Sequence, residues 1–193
     1  MKLTLIFVTA LSLSAAPIYT ATATLTGVNG DSVDGSYTSP YYLTLGTQQL
    51  TVFCDDYLDH VSVGETWDAV VFSGSDTTGS YFPVNDYDSL FWLVDQALDH
   101  PESHVDIQQA IWYIESGYGV HNAWVTASQG QTVDRSRFIV IDGYGAPGDR
   151  PQEFIVRGDA VVNVVTPTPE PGCLVLIGLG MVGIAVKGRR GSE

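Results

Sequence analysis

The chain has 193 residues and is strongly acidic, with 22 acidic residues against 8 basic ones and a formal net charge of −14 at pH 7. Such a surface repels phosphate backbones, which argues against a nucleic-acid partner. The length suits one domain with a hydrophobic core and leaves too little chain for a second domain of ordinary size.

The first 23 residues have the order of a secretory signal peptide. Lys2 forms a short positive region, residues 3–16 are an apolar run, and Ala21-Thr22-Ala23 is a small-x-small cleavage site. A buried N-terminal helix is the alternative, but the run ends in a Thr/Ala-rich stretch rather than at a helix cap. We therefore predict that signal peptidase removes residues 1–23 during export.

The central region, residues 24–165, is predicted to be one exported β-rich domain. Residues 24–75 contain short β-branched and aromatic runs bounded by turn residues, and the last third returns to the same pattern. Two helices lie between them, with apolar residues at helical spacing at Leu90, Leu93, Val94 and Ala97 and then at Ile107, Ala110, Ile111 and Ile114, the second beginning at Ser103 as N-cap. This order predicts a mainly β fold, a β-sandwich or barrel-like α+β domain with a two-helix insert.

Cys54 is the only cysteine between the two ends of the chain. An unpaired cysteine in a secreted protein suggests intermolecular pairing or a reactive thiol. A Cys/His hydrolase is disfavoured, because the adjacent Asp55 and Asp56 raise a thiol pKa and suppress the thiolate. Its candidate bases are His60, His100, His104 and His121. An inert buried thiol is the simpler alternative.

A second segment offers Cys54 a partner. "FC" at residues 53–54 and "IQQAIW" at 107–112 together resemble the paired motifs of bacterial surface thioester domains, also called TQXA domains. The resemblance implies that Cys54 attacks the carboxamide of Gln108, expels ammonia, and forms an internal thioester that an amine on another molecule can open. Gln108 is the acyl donor because it precedes "xAIW", and Gln109 takes the x position. The sequence departs from the family at Asp55, where an aromatic is frequent, and at Ile107, where threonine is frequent.

The same residues have a plainer interpretation, in which Cys54 is inert and Gln108 is a solvated helix position. The lysine distribution bears on this choice, since residues 3–186 contain no lysine. A domain with an electrophilic acyl group benefits from having no ε-amine of its own, whereas a general acidic bias explains the same absence without chemistry.

The remaining constellations are weaker. Neither aspartate group, Asp55/Asp56/Asp59 or Asn29/Asp31/Asp34, has EF-hand spacing, and the histidines lack zinc-site spacing, so no metal and no cofactor are predicted. Four tryptophans are candidates for a sugar-stacking surface or, more commonly, for core: Trp67, Trp92, Trp112 and Trp124.

The C-terminal end has a distinct organisation. Residues 166–171 form a proline linker containing Pro169-Glu170-Pro171, and the 14 residues that follow from Cys173 to Val186 carry no charge. That run is shorter than the ~17–25 residues of an ordinary membrane helix. The basic cluster after it follows the positive-inside rule, so we predict a transmembrane anchor in residues 172–193. Its defining residues are Cys173, Leu174, Val175, Leu176, Ile177, Lys187, Arg189 and Arg190.

The order of Pro-Glu-Pro, apolar span and basic cluster over residues 167–190 resembles the PEP-CTERM sorting signal. The resemblance implies an inner-membrane anchor that an exosortase removes, followed by release to the cell surface or extracellular matrix. We thus predict an exported, non-enzymatic surface protein, at most a single-turnover acyl donor. In one hypothesis it is a covalent adhesin for an amine-bearing ligand; in the alternative it binds exopolysaccharide or another matrix component non-covalently.

Overall fold

Six antiparallel strands close into a barrel in the computed structural model, which describes residues 19–29, 31–77, 80, 87–144 and 150–158. The barrel order is β1-β4-β5-β8-β7-β6, and pairing between β1 and β6 closes it. A small separate hairpin joins β2 and β3. In chain order the strands are β1 (Tyr19–Val28), β2 (Ser32–Val33), β3 (Ser36–Tyr37), β4 (Tyr41–Leu45), β5 (Gln48–Cys54), β6 (Thr66–Ser73), β7 (Phe138–Gly143) and β8 (Phe154–Arg157).

The helices lie between β6 and β7 in the sequence. They are α1 (Tyr87–Asp99), α2 (His104–Ser116) and α3 (Ala123–Ser128), with one-turn 3₁₀ helices at Pro101–Ser103 and Arg135–Arg137. The two predicted helices correspond to α1 and α2, and α3 was not predicted. Its six residues show too little periodicity, but Asn122 caps it by accepting hydrogen bonds from the backbone N–H groups of Trp124 and Val125.

The barrel has two hydrophobic faces because strand side chains alternate. One face lines the interior, where Tyr41 and Trp67 pack their rings against Phe154. The other lies under the helices and joins their apolar stripes in a continuous core that includes Phe53, Val70, Phe72, Phe138, Val140 and Ile155. The sequences of β6, β7 and β8 are therefore nearly continuous hydrophobic runs, and hydrophobic and polar residues do not simply alternate in them.

The mainly β fold is confirmed, and of the two architectures left open the structure is the barrel. Ser103 does stand at the N-cap position of α2, but its side chain makes no capping hydrogen bond because a 3₁₀ turn that begins with Pro101 leads directly into the helix.

The described residues all fall in one compact unit, Met1–Val162; the second unit, Asn163–Glu193, contains the predicted linker and anchor and lies outside them. Within the ranges that the structure describes, no helix has the length and apolar character needed to cross a membrane.

The first strand begins inside the predicted signal peptide. Tyr19, Thr20, Ala21, Thr22 and Ala23 pair with β6, and these are five of the six β1 residues in that ladder. Ala23 is also fully buried. Cleavage after Ala23 would leave only Thr24 to pair with Thr66, and the barrel would open along this seam.

We therefore expect the mature N-terminus of the exported protein to lie before Tyr19. N-terminal sequencing of the protein recovered from the cell surface measures this directly. A mature chain that begins at Thr24 and still unfolds in a single cooperative transition would show that the barrel does not need the β1–β6 seam.

Candidate functional site

Cys54 and Gln108 meet at one end of the barrel. Cys54 is the last residue of β5, and Gln108 lies in the second turn of α2. Both are almost completely buried, with exposures of 1% and 0%. The Gln108 amide nitrogen donates a 2.6 Å hydrogen bond to the backbone carbonyl of Cys54. The two residues that sequence analysis selected are thus in direct contact, and Gln108 is not the solvated helix position of the plainer interpretation.

Ser39 completes the contacts of the Gln108 carboxamide. The Ser39 backbone N–H donates to Gln108 Oε1 at 3.2 Å, and the Ser39 hydroxyl donates to the same oxygen. The Ser39 hydroxyl in turn accepts from the backbone N–H of Cys54 at 3.0 Å. Sequence analysis missed Ser39, because a polar residue between Thr38 and Pro40 is typical of a turn before a strand.

The Cys54 sulfur has its own partners. It donates to the backbone carbonyl of Asp56 at 2.9 Å and accepts from the side-chain amide of Gln152 at 2.7 Å. Gln152 is held in turn by the backbone N–H of Val61, which donates to its Oε1 at 3.1 Å. Burial raises the pKa of the Cys54 thiol, and the charges of Asp55 and Asp56 raise it further. The residue is therefore a neutral thiol at physiological pH.

A cavity of about 420 Å³ opens beside the sulfur. Its wall includes Cys54, Trp112 and Gln152, and aromatic side chains of Tyr37, Tyr41 and Tyr57. Trp112 is 3% exposed and packs edge-on against Tyr57, with ring centroids 5.0 Å apart. Cys54 therefore lines a cavity although the residue itself is almost completely buried. Gln109 lies instead on a smaller neighbouring pocket.

The histidines do not form a catalytic dyad with Cys54 in the described part of the chain. His60 lines the same cavity but shares no hydrogen bond with the sulfur. The ring of His104 bonds to the backbone carbonyl of Ala97, and His100 pairs with Glu102. His121 packs on Tyr113. A raised thiol pKa without a partner base leaves the hydrolase alternative without support.

The aspartates after Cys54 are part of a buried ion-pair cluster. Arg150 bonds Asp56 at 3.2 Å, Asp59 at 2.8 Å and Asp142 at 2.9 Å, and its side chain is 1% exposed. Asp56 also accepts from the backbone N–H groups of Leu58 and Asp59, which fixes the turn after β5. This arrangement, rather than a calcium site, explains the acidic run, and no group of three potential metal ligands occurs among the residues described.

Asp55 takes part in a different contact. Its side chain faces Glu153 at the adjoining ends of β5 and β8, and both carboxyls are fully buried. Tyr87 donates to Glu153 Oε1 at 2.7 Å. Burial raises the pKa of both carboxyls well above their usual values. The charges of Asp56 and Glu115 raise the pKa of Asp55 further, and the charge of Asp55 raises that of Glu153. Both Asp55 oxygens and Glu153 Oε2 are buried without a hydrogen-bond partner among the residues that the structure describes, so the environment disfavours the charged form of both carboxyls.

The tryptophans do not form an exposed sugar-stacking face. Trp67 and Trp112 are buried, while Trp92 and Trp124 pack against each other at 6.3 Å beside the helical core. Asn29 donates to Asp31 at 2.9 Å, and Asp34 adopts a left-handed turn conformation with φ of 51°, so the second acidic group is explained by turn geometry.

Comparison with known proteins identifies one region. Residues 167–190 match the PEP-CTERM protein-sorting motif. This is the tail predicted from Pro169-Glu170-Pro171, the apolar run and the basic cluster, and it is consistent with export and sorting by the exosortase system. No curated protein and no solved structure matches the chain. The molecule is thus a helix-capped β-barrel on a chain with a surface-sorting tail.

Replacing Arg150 should destabilise the domain strongly. Arg150→Ala leaves Asp56, Asp59 and Asp142 buried without their counter-charge, and we expect a loss of about 3–5 kcal/mol in the free energy of unfolding. Urea denaturation measures it. The matched control is Arg137→Ala, which removes a half-exposed pair with Asp95 at 3.6 Å and should cost below about 1 kcal/mol. Similar losses in the two variants would contradict the buried cluster.

Stability should decrease as the pH rises. Burial raises the pKa of Glu115 to about 7, and Asp55 and Glu153 are also raised, so the native state binds more protons than the unfolded chain above the unfolded pKa values. We expect a higher melting temperature at about pH 5 than at about pH 8. Glu153→Gln should reduce this difference, whereas Asp99→Asn, on an exposed helix end, should preserve it. An unchanged pH dependence in Glu153→Gln would show that Glu153 does not take up a proton on folding.

Proposed function

We propose that the domain is a covalent surface adhesin, in which the Gln108 carboxamide acylates Cys54 and the resulting thioester captures an amine on another molecule. The single observation that supports this most directly is the placement of the Gln108 amide against Cys54, 2.6 Å from its backbone carbonyl and away from water. A primary amide is a poor electrophile, so the reaction depends on a fixed approach that provides a high effective molarity.

The chemistry is balanced within the protein. The Cys54 sulfur bonds to the carbonyl carbon of Gln108, the carbon–nitrogen bond breaks, and the thiol proton leaves with the nitrogen as ammonia. No oxidant, metal or external acid is consumed. Later, an incoming amine takes the acyl group and returns the thiol, so each molecule reacts once and is not an enzyme. The neutral thioester also removes the need to hold a thiolate beside Asp55 and Asp56.

The surroundings favour the survival of such a bond. Cys54 and Gln108 are almost completely buried, which limits hydrolysis, and Cys54 lines the aromatic cavity. Residues 3–186 contain no lysine, and residues 24–168 contain four arginines, whose guanidinium groups are protonated and unreactive. The domain thus lacks an ε-amine that competes with the foreign one.

The tail supports a location outside the cell for the proposed reaction. Because the PEP-CTERM motif at residues 167–190 is consistent with exosortase sorting, we propose that signal peptidase releases the N-terminal segment and that the apolar tail holds the chain in the inner membrane until it is cut. The mature domain then meets its ligand at the cell surface or in the matrix. Exopolysaccharide that carries amino groups and surface protein are both partners of suitable chemistry.

Methylamine provides the test. The full chain, purified in detergent, should gain the mass of one methylamine per molecule, and a peptic digest made before treatment should contain a cross-linked peptide joining Cys54 to Gln108. The mass difference is independent of how the ends of the chain have been processed.

Cys54→Ala and Gln108→Glu should each abolish the methylamine gain, because one removes the nucleophile and the other replaces the amide with a carboxyl of the same shape. Gln109→Glu, one residue along the same helix, is the matched control and should react as the wild type does. A wild-type chain that gains no mass, and whose native thiol is free to label, would instead favour a passive matrix protein that binds without a covalent bond.

A further inference from the structure

The geometry points to Ser39 as the catalytic residue that stabilises the oxyanion when the Gln108 carbonyl is attacked, an inference that rests on the proposed function. Two donors converge on Gln108 Oε1, the backbone N–H of Ser39 at 3.2 Å and the hydroxyl of the same residue. Ser39 is 1% exposed, so the donors act where water does not screen them. Preorganised donors in a dry site are the usual means of stabilising a tetrahedral acyl-transfer intermediate.

The contacts fix the orientation of the amide. The Ser39 backbone N–H can only donate, so the atom it faces is the carbonyl oxygen of Gln108. The Cys54 carbonyl can only accept, so the atom it faces is the amide nitrogen. In a flipped amide, the Gln108 N–H groups would face the Ser39 N–H donor, and the Gln108 oxygen would face the Cys54 carbonyl acceptor. The oxygen that becomes negative on attack is therefore the oxygen that already faces Ser39.

The position of the hydroxyl hydrogen is fixed in the same way. Ser39 Oγ accepts from the Cys54 backbone N–H at 3.0 Å and faces Gln108 Oε1, which has no hydrogen to give. The hydroxyl must therefore donate to Oε1. The resulting chain runs from the Cys54 N–H through the Ser39 hydroxyl to the Gln108 carbonyl, and each hydrogen bond polarises the next. Cys54, which provides the attacking sulfur, thus also strengthens the hydrogen bond that the Ser39 hydroxyl donates to the Gln108 carbonyl.

The sulfur and the acyl oxygen are then held by two different sets of residues. Gln152 and the Asp56 carbonyl hold the sulfur, and Ser39 holds the acyl oxygen. When sulfur attacks, the carbonyl electrons move onto Oε1 and are stabilised by both Ser39 donors. As the intermediate collapses, the amide nitrogen departs from its position at the Cys54 carbonyl with the thiol proton, as ammonia. Opening by an amine passes through the same oxyanion, so Ser39 acts in both directions.

A purely structural role for Ser39, as an anchor between α2 and the strands, makes a different prediction. Losing an anchor loosens the site and exposes the thioester, so an amine should open it at the same rate or faster. Losing an oxyanion donor slows the opening. Because opening is measured on folded protein, a loss of stability alone does not slow it. The direction of the rate change therefore separates the two roles.

The experiment follows methylamine opening by mass spectrometry in the full wild-type chain, in Ser39→Ala and in Ser89→Ala. Ser39→Ala keeps the backbone donor and removes the hydroxyl, and we expect thioester opening to slow by about 10²-fold, or the folded chain to form no thioester at all. Ser89 is the matched control: it is also 1% exposed, and its hydroxyl donates to the Ser128 carbonyl at 2.9 Å. It should open at the wild-type rate.

Opening of Ser39→Ala at the wild-type rate or faster would overturn the role of Ser39 while leaving the adhesin proposal intact. A wild-type chain that does not react with methylamine would contradict both the adhesin proposal and the role of Ser39. If Ser39→Ala does not fold, Ser39→Thr replaces it, because threonine keeps a hydroxyl donor: a thioester in that variant supports the assignment, and a folded Ser39→Thr chain without one opposes it.

Discussion

The structure depends most on the buried carboxamide of Gln108, which joins a helix to the end of the barrel. A buried side-chain amide has two N–H donors and one carbonyl acceptor that need hydrogen-bond partners. Leaving one of them without a partner costs more free energy than a hydrogen bond contributes when it is made. The backbone of β5 and the turn before β4 supply its partners, so α2 is fixed in one register against the strands. That register sets where Trp112 lies and therefore the shape of the cavity beside Cys54.

Charge is organised around the same point. The turn after Cys54 carries three aspartates, which have two different environments. Asp56 and Asp59 pair with Arg150, whereas Asp55 lies beside Glu153, and burial raises the pKa of both of these carboxyls. Burying either group of charged side chains costs free energy. Both groups join the turn after β5 to a distant part of the chain, since Arg150 and Glu153 lie beside the last strand. The acidic run that raises the pKa of the Cys54 thiol thus also holds the end of strand β5 in place.

Local pattern was enough for the mainly β class and both long helices, because each rests on periodicity. Cys54 and Gln108 were selected by a resemblance of two short segments to thioester domains, and the structure brings these two residues into contact. Local pattern failed where partners come together only through the closed barrel. Ser39, Gln152, Arg150 and Glu153 contact the Cys54 region across wide separations, and nothing in their neighbours marks them. The short helix α3 and the early start of β1 were missed for a related reason, because the local preference of both segments is weak. The Asn122 cap stabilises α3, and pairing with β6 stabilises the start of β1.

The strand order has a consequence for how the chain matures. The last strand, β8, is inserted between β5 and β7, so the ring remains incomplete until residue 157 is available. Such long-range pairing delays folding. The sorting motif begins at residue 167, only a short stretch later. The barrel therefore closes only when nearly all of the chain before that motif is available for pairing, so barrel closure and access to the sorting motif depend on neighbouring parts of the sequence.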